Sequence, residues 1–158
     1  MSDQTTPMTM IQALRSAMDV MLERVTGIAA SVGLNYDYDS IKQTNMIKAH
    51  ELLHLAKSHD KQIVMKERLL KAYFEEGKHV GKIENLADLA AEVGLDRAEV
   101  VEALTNETYL PAVKADMAQA QAYGISGVPF YVIDGKFGIS GAQDPSTFAA
   151  ALTEASQA

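Results

Sequence analysis

A histidine, a glutamate and a second histidine at positions 50, 51 and 54 spell His-Glu-x-x-His. On a helix this spacing sets two imidazoles one turn apart beside a carboxylate able to activate a zinc-bound water, which is metallopeptidase chemistry. Such a zinc needs a third protein ligand. The extended form of the motif asks for glycine at 57 and histidine at 60, whereas the chain has Lys57, and His59 stands one residue early. Glu75, Glu76 or Glu92 stays open as a more distant third ligand. Short motifs also arise by chance, so the expectation is no bound metal, with the zinc hydrolase kept as an alternative. The plain reading of His50 is a polar side chain hydrogen-bonded at a helix junction.

Other reactive constellations are thin. The chain has no cysteine, which removes disulfides, thiolate metal sites and cysteine nucleophiles and leaves the redox compartment undetermined. Gly124-x-x-Gly127 lacks the Lys-Ser/Thr ending of a phosphate loop and runs into a strand, so no helix N-terminus would face a phosphate. Ser126 and Ser140 flank a hairpin without a nucleophile elbow. No residue is assigned a catalytic role, and no cofactor is expected.

The stretch that organises the chain is Gly124 to Ala142. Phe130 to Ile133 is an unbroken β-branched and aromatic run, Asp134-Gly135 is a turn pair that tolerates positive φ, and Lys136 to Ile139 reads as the return strand. Val128-Pro129 sets a residue without an N–H at the mouth of the first strand, where an X-Pro bond adopts cis at small cost. A cis-proline is expected there.

Helices must position everything else. Apolar residues from Met8 to Val32 recur at helical spacing and Gly33 is placed to cap, which predicts one long amphipathic helix. A polar aromatic loop around Tyr36 and Tyr38 follows. Thr44 reads as the N-cap of a helix to Ser58, and Asp60 as the cap of its antiparallel neighbour, which ends at Gly77. Glu84 to Val93, closed by Gly94, precedes a helix to about Thr105 that opens on an Asp96/Glu99 capping box. Leu110 to Tyr123 leads into the Pro129 loop. Asp144-Pro145 starts a last helix that Phe148 and Leu152 would anchor. The fold class is α+β and mostly α. Residues 1–7 are expected to be disordered and 8–158 to form one domain, helical over 8–123 and ββα over 124–158.

Gly-Val-Pro-Phe-Tyr-Val-Ile-Asp-Gly followed by Ile-Ser-Gly-Ala-Gln resembles the cis-proline loop and closing hairpin of the DsbA-like thioredoxin superfamily, and its FrnE-like branch most of all. Thr44-Asn45, Ala49-His50, Leu52 to Ala56 and Ala90 to Asp96 resemble that branch's helical insertion, so the likeness runs from about Val25 to the C-terminus. It implies a helical bundle joined to an incomplete thioredoxin-like hairpin and last helix. It also implies a thiol–disulfide oxidoreductase family whose Cys-x-x-Cys β-α-β unit has no counterpart here. By resemblance, Gly127, Val128 and Pro129 would hold an extended peptide or a small thiol or disulfide compound, with Asn45 and His50 lining the groove opposite. An inert binding or assembly module is the remaining alternative.

The formal net charge is -7, from 14 Lys+Arg against 21 Asp+Glu, with the basic residues scattered. Nucleic acid is therefore not an expected partner. Lys57, Lys61, Lys66 and Lys71 read as a solvated helix face. No segment approaches the roughly 20 apolar residues of a membrane span, and Met1 to Pro7 has no basic leader, so no membrane partner and a cytoplasmic location are expected. A two-stranded hairpin lacking the family's neighbouring strand has open edges. Two outcomes follow: a homodimer, or association with the missing N-terminal unit, against a long first helix folded back over the vacant face.

Overall fold

The computed structural model describes residues 8–157; the segment 1–7, expected to be disordered, lies outside them. Its elements are α1 Met8–Ser31, α2 Ile47–Ser58, α3 Gln62–Phe74, α4 Ile83–Glu92, α5 Arg97–Thr105, α6 Leu110–Ala122, β1 Phe130–Ile133, β2 Phe137–Ser140 and α7 Pro145–Ala155. This is the mostly helical α+β chain that the periodicities predict. By contact it forms two compact units, one ending at Val113 and one running from Lys114 to Ala158, where the sequence suggested one domain with a change at 123/124. The division falls inside α6 because the start of that helix belongs with the first unit: Tyr109 packs against the α2–α5 core and Val113 is buried.

In the first unit, α2 packs on α3 and α5, and α4 on α5. Leu52 and Leu55 from α2, Met65 from α3, Leu86 and Leu89 from α4, and Val100 and Leu104 from α5 share one core. Ala56, Ala72, Ala87 and Ala90 lie among them with no exposed surface, and such small residues let the helix axes approach closely. Each large aliphatic side chain so buried stabilises the unit by about 1.5–3 kcal/mol before chain entropy is counted. The helix α1 departs from expectation. Its sequence is amphipathic, yet among the described residues of this helix only Ala29 is buried, and Leu14, Met18, Met21 and Ile28 remain exposed. The side that bears Leu22, Thr26 and Ala30 instead lines a groove with Tyr36 to Asp39.

Several helix ends differ from the sequence reading. Thr44 is not the cap of α2; Asn45 Oδ1 accepts the Ile47 N–H at 2.8 Å. Asp60 does not cap α3, because it sits at φ 57° in the turn between the helices, and the N-cap position falls on Lys61. Lys61 is also no bystander on a solvated face. Its Nζ donates to the carbonyls of Val93 at 3.0 Å and Gly94 at 2.6 Å, and so ties α3 to the turn that closes the C-terminal end of α4. Asp96 caps α5 as predicted, accepting the Glu99 N–H at 2.8 Å. At Gly81 a Cβ would stand 2.1 Å from Thr44 Oγ1 and 3.1 Å from the Asn45 carbonyl, so this loop runs directly against the entry to α2.

Arg68 ties α3 to the far end of α4, with Nε 2.6 Å from Glu92 and Nη2 2.9 Å from Glu76. Its hydrogen bonds hold both carboxyls below the usual glutamate range. A lowered carboxyl pKa contributes stability that is present above the unfolded value of about 4.3 and is lost as pH falls through the folded one. The urea midpoint is therefore expected to drop between about pH 5 and pH 3. Glu92→Gln should flatten that drop, and an unchanged pH slope in the variant would discharge the Arg68 cluster as its cause.

The second unit holds the end of α6, the hairpin and α7. Phe130 pairs with Ser140 and Ile133 with Phe137, antiparallel. Asp134 and Gly135 both have positive φ, 52° and 67°, and Lys136 N–H bonds the Ile133 carbonyl at 3.1 Å, so β2 begins at Phe137 and not at Lys136. The ring of Phe130 lies over Gly138, where a Cβ would meet Cζ at 2.9 Å. Tyr131 stands edge-on to Phe148 of α7 at 4.9 Å. Asp144 caps α7 ahead of Pro145. Leu152 does not anchor that helix; it is exposed, and Ile139 is the one buried hydrophobic of this ββα segment among the described residues.

Candidate functional site

The Pro129 loop is built by its neighbours. Gly124, at φ 67°, ends α6, and the chain then passes Gly127 and Val128 before Pro129 opens onto β1. The Val128–Pro129 bond is cis. Beyond β2, Gly141 N–H donates to the Pro129 carbonyl at 2.8 Å, extending the hairpin ladder by one bond and fixing the loop to the sheet. Val128 is 91% exposed. No described residue hydrogen-bonds its N–H or its carbonyl. Gly127, with no Cβ and no heavy atom within 4 Å of where one would sit, leaves the approach open. An extended chain laid alongside would find a donor and an acceptor in strand-like spacing, the means by which a sheet edge takes up a peptide.

His50 and Asn45 lie in the other unit. His50, on the exposed side of α2, borders a pocket of about 270 Å³ whose walls are almost wholly apolar: Ala49, Leu53, Leu69, Tyr73, Phe74 and Val80. Lys66 also borders it, so a lysine and a histidine adjoin these apolar walls. Tyr36 stacks on Phe74 at 4.7 Å and holds one wall in place. Asn45 does not line this pocket. Its side-chain oxygen is committed to the start of α2, and its contribution is to fix the helix that carries His50.

Glu51, the carboxylate of the His-Glu-x-x-His string, does not face a site: it has 0% exposure. Its Oε1 is 3.0 Å from Lys48 Nζ. Lys48 reaches on to the Leu104 carbonyl at 2.7 Å and to Glu107 at 3.3 Å, closing the C-terminal end of α5. Burial works against the Lys48 ammonium, but the hydrogen bonds to Glu51 and Glu107 outweigh it and hold its pKa above the ordinary lysine value. The carboxylate that a His-Glu-x-x-His zinc enzyme would use as base is thus turned into the helix packing. Among the described residues no group of three His, Cys, Asp or Glu converges to hold a metal ion. The zinc hydrolase therefore has no support from the geometry. His59 pairs instead with Glu99 at 3.0 Å, and His79 Nδ1 accepts the Gly81 N–H at 3.1 Å.

Sequence reasoning missed Lys48 and Lys66. Lys66 was grouped with a lysine stripe, and nothing in its spacing separates it from Lys57 or Lys71. Lys48 was legible in principle, since lysine three residues ahead of glutamate on a helix forms an i,i+3 pair.

A cis-proline loop leading into a hairpin and last helix, preceded by a helical bundle, defines a thioredoxin-type protein of the DsbA kind. The family described as DSBA-like thioredoxin domain matches residues 2–153, and the chain belongs to it. The fold is accordingly DsbA-like. A crystal structure of a probable DsbA oxidoreductase, SCO1869 from Streptomyces coelicolor, is similar with a TM-score of 0.76 and 34% identity, over 84% of this chain and 58% of that one. The uncharacterized protein YwbO of Bacillus subtilis (strain 168) is 34% identical over 107 residues, 67% of this chain and 53% of its own length. The chain thus spans somewhat more than half the length of each. Among the described residues no helix is long and apolar enough to cross a membrane.

Proposed function

We propose that this chain is a FrnE-like docking part of the DsbA-like family, acting in the cytoplasm, which holds an extended peptide or a small thiol or disulfide compound and carries out no electron transfer itself. The observation that carries the reading is the exposed, unbonded backbone of Val128 beside Pro129 in a chain without a thiol. Disulfide exchange proceeds by thiolate attack on sulfur. The attacking group must therefore come from another chain, or from a portion of the kind the relatives have beyond the matched length. The apolar pocket beside His50, which Lys66 also borders, supports the same reading, because it suits the apolar side chains of a peptide.

The test is an amide-resolved NMR titration of the cysteine-free chain with oxidised glutathione and, separately, with an extended apolar peptide. The expected result is a saturable shift at Gly127, Val128 and Phe130, lost in Val128→Asp. No shift from either ligand at millimolar concentration would sink the proposal. In parallel, dithiothreitol-driven insulin reduction should run at its uncatalysed rate. Acceleration that survives further purification would overturn the claim that the chain transfers no electrons.

A further inference from the structure

Beyond the docking loop, α1 presents a surface that the site does not use. Leu14, Met18, Met21, Val25 and Ile28, with Val32 just past the helix end, are spaced four, three, four, three and four residues apart. That is an unbroken a/d heptad seam of the type that pairs two helices side by side. Four of its members, Leu14, Met18, Met21 and Ile28, are 55 to 63% exposed. The neighbouring side of α1, through Leu22 and Ala29, is already turned toward the chain's own Leu34 to Asp39 segment, so the seam is a second, separate face.

We infer that this seam is a homodimer interface in which α1 of one copy packs along α1 of another. The spacing itself points to a second copy, because an a/d seam supplies both the knobs and the holes that receive them. Charge agrees: the seam bears none, and α1 carries two arginines, Arg15 and Arg24, against Asp19 and Glu23, so it is neutral although the whole chain stands at -7. The area is of the right order. A large aliphatic side chain has roughly 60–120 Å² to bury, and rather more than half of that remains open along the seam. Two copies with Met10 and the arginine stems added bring this to about the 1,000 Å² that a specific interface requires.

Light scattering on a sizing column should give twice the 17.1 kDa chain mass at micromolar concentration. Met18→Glu with Ile28→Glu should weaken dimerisation at least 100-fold, as should Met18→Lys with Ile28→Lys. Mixing the two variants in equal amounts should restore the doubled mass, a rescue that a misfolded chain would not show. Ile63→Glu, at an exposed position on α3, should leave the dimer intact. A wild-type monomer at high concentration, a dimer that tolerates both charge variants, or a mixture that stays monomeric would each overturn the inference.

Discussion

Glu51→Ala is expected to lower the stability of the helical unit by about 1.5–3 kcal/mol, the range for losing a bond to a charged group, because the Lys48 left behind is only partly buried. The substitution leaves Lys48 facing a hole between α2 and α5 with only the exposed Glu107 and the Leu104 carbonyl to compensate its charge. Replacing both partners, Lys48→Met with Glu51→Leu, should recover most of the loss, because well-packed apolar residues of similar volume commonly match or exceed a buried pair. His50→Ala on the adjacent position should change stability by less than about 0.5 kcal/mol, as surface substitutions do. Urea melts of the four proteins decide the matter. Equal losses at 50 and 51 would mean that the His-Glu-x-x-His string works as one site after all, contrary to the geometry.

A second large effect is expected at Ile139. It is the one buried hydrophobic in the hairpin and last helix among the described residues, while Leu152 and the outward side chains of β1 lie open. Ile→Ala in a core costs about 2–5 kcal/mol, and a unit of this size has little to spare. Ile139→Ala should therefore release the hairpin amides to solvent exchange while the amides of α2 to α5 keep their protection. Hydrogen exchange followed by NMR shows this directly. If both units lost protection together, they would be one cooperative body and not two.

These outcomes also mark what could be read without coordinates. The hairpin, its Asp134-Gly135 turn and the caps at Asp96 and Asp144 depend on near neighbours in sequence, where a single side chain or a positive φ decides the local conformation. The mostly helical class follows from apolar periodicity in the same way. The failures are tertiary. Periodicity marked α1 as amphipathic but could not say that its apolar side would stay open, since that depends on what else the chain can bring to it. The status of Glu51 turned on α5, more than 50 residues away in the chain, and that of Lys61 on the carbonyls of Val93 and Gly94. Of the site, the Pro129 loop was legible because glycine, proline and a strand signal lie together. The pocket beside His50 was not, because its walls come from two helices and a loop.

The close pass of Gly81 under Thr44 has a consequence for how this sequence can drift. The space for a Cβ at 81 is already filled by the Thr44 side chain, and the Asn45 carbonyl bounds it on another side. Position 81 is not free alone: alanine there requires the Thr44 side chain to give way, as a smaller residue such as alanine at 44 would allow, whereas 44 can shrink without any change at 81. The path between the two forms is thus one-way in its first step, with the loss at 44 preceding the gain at 81. The helix that carries His50 starts three residues beyond Thr44, so the gate on that path stands just ahead of that helix.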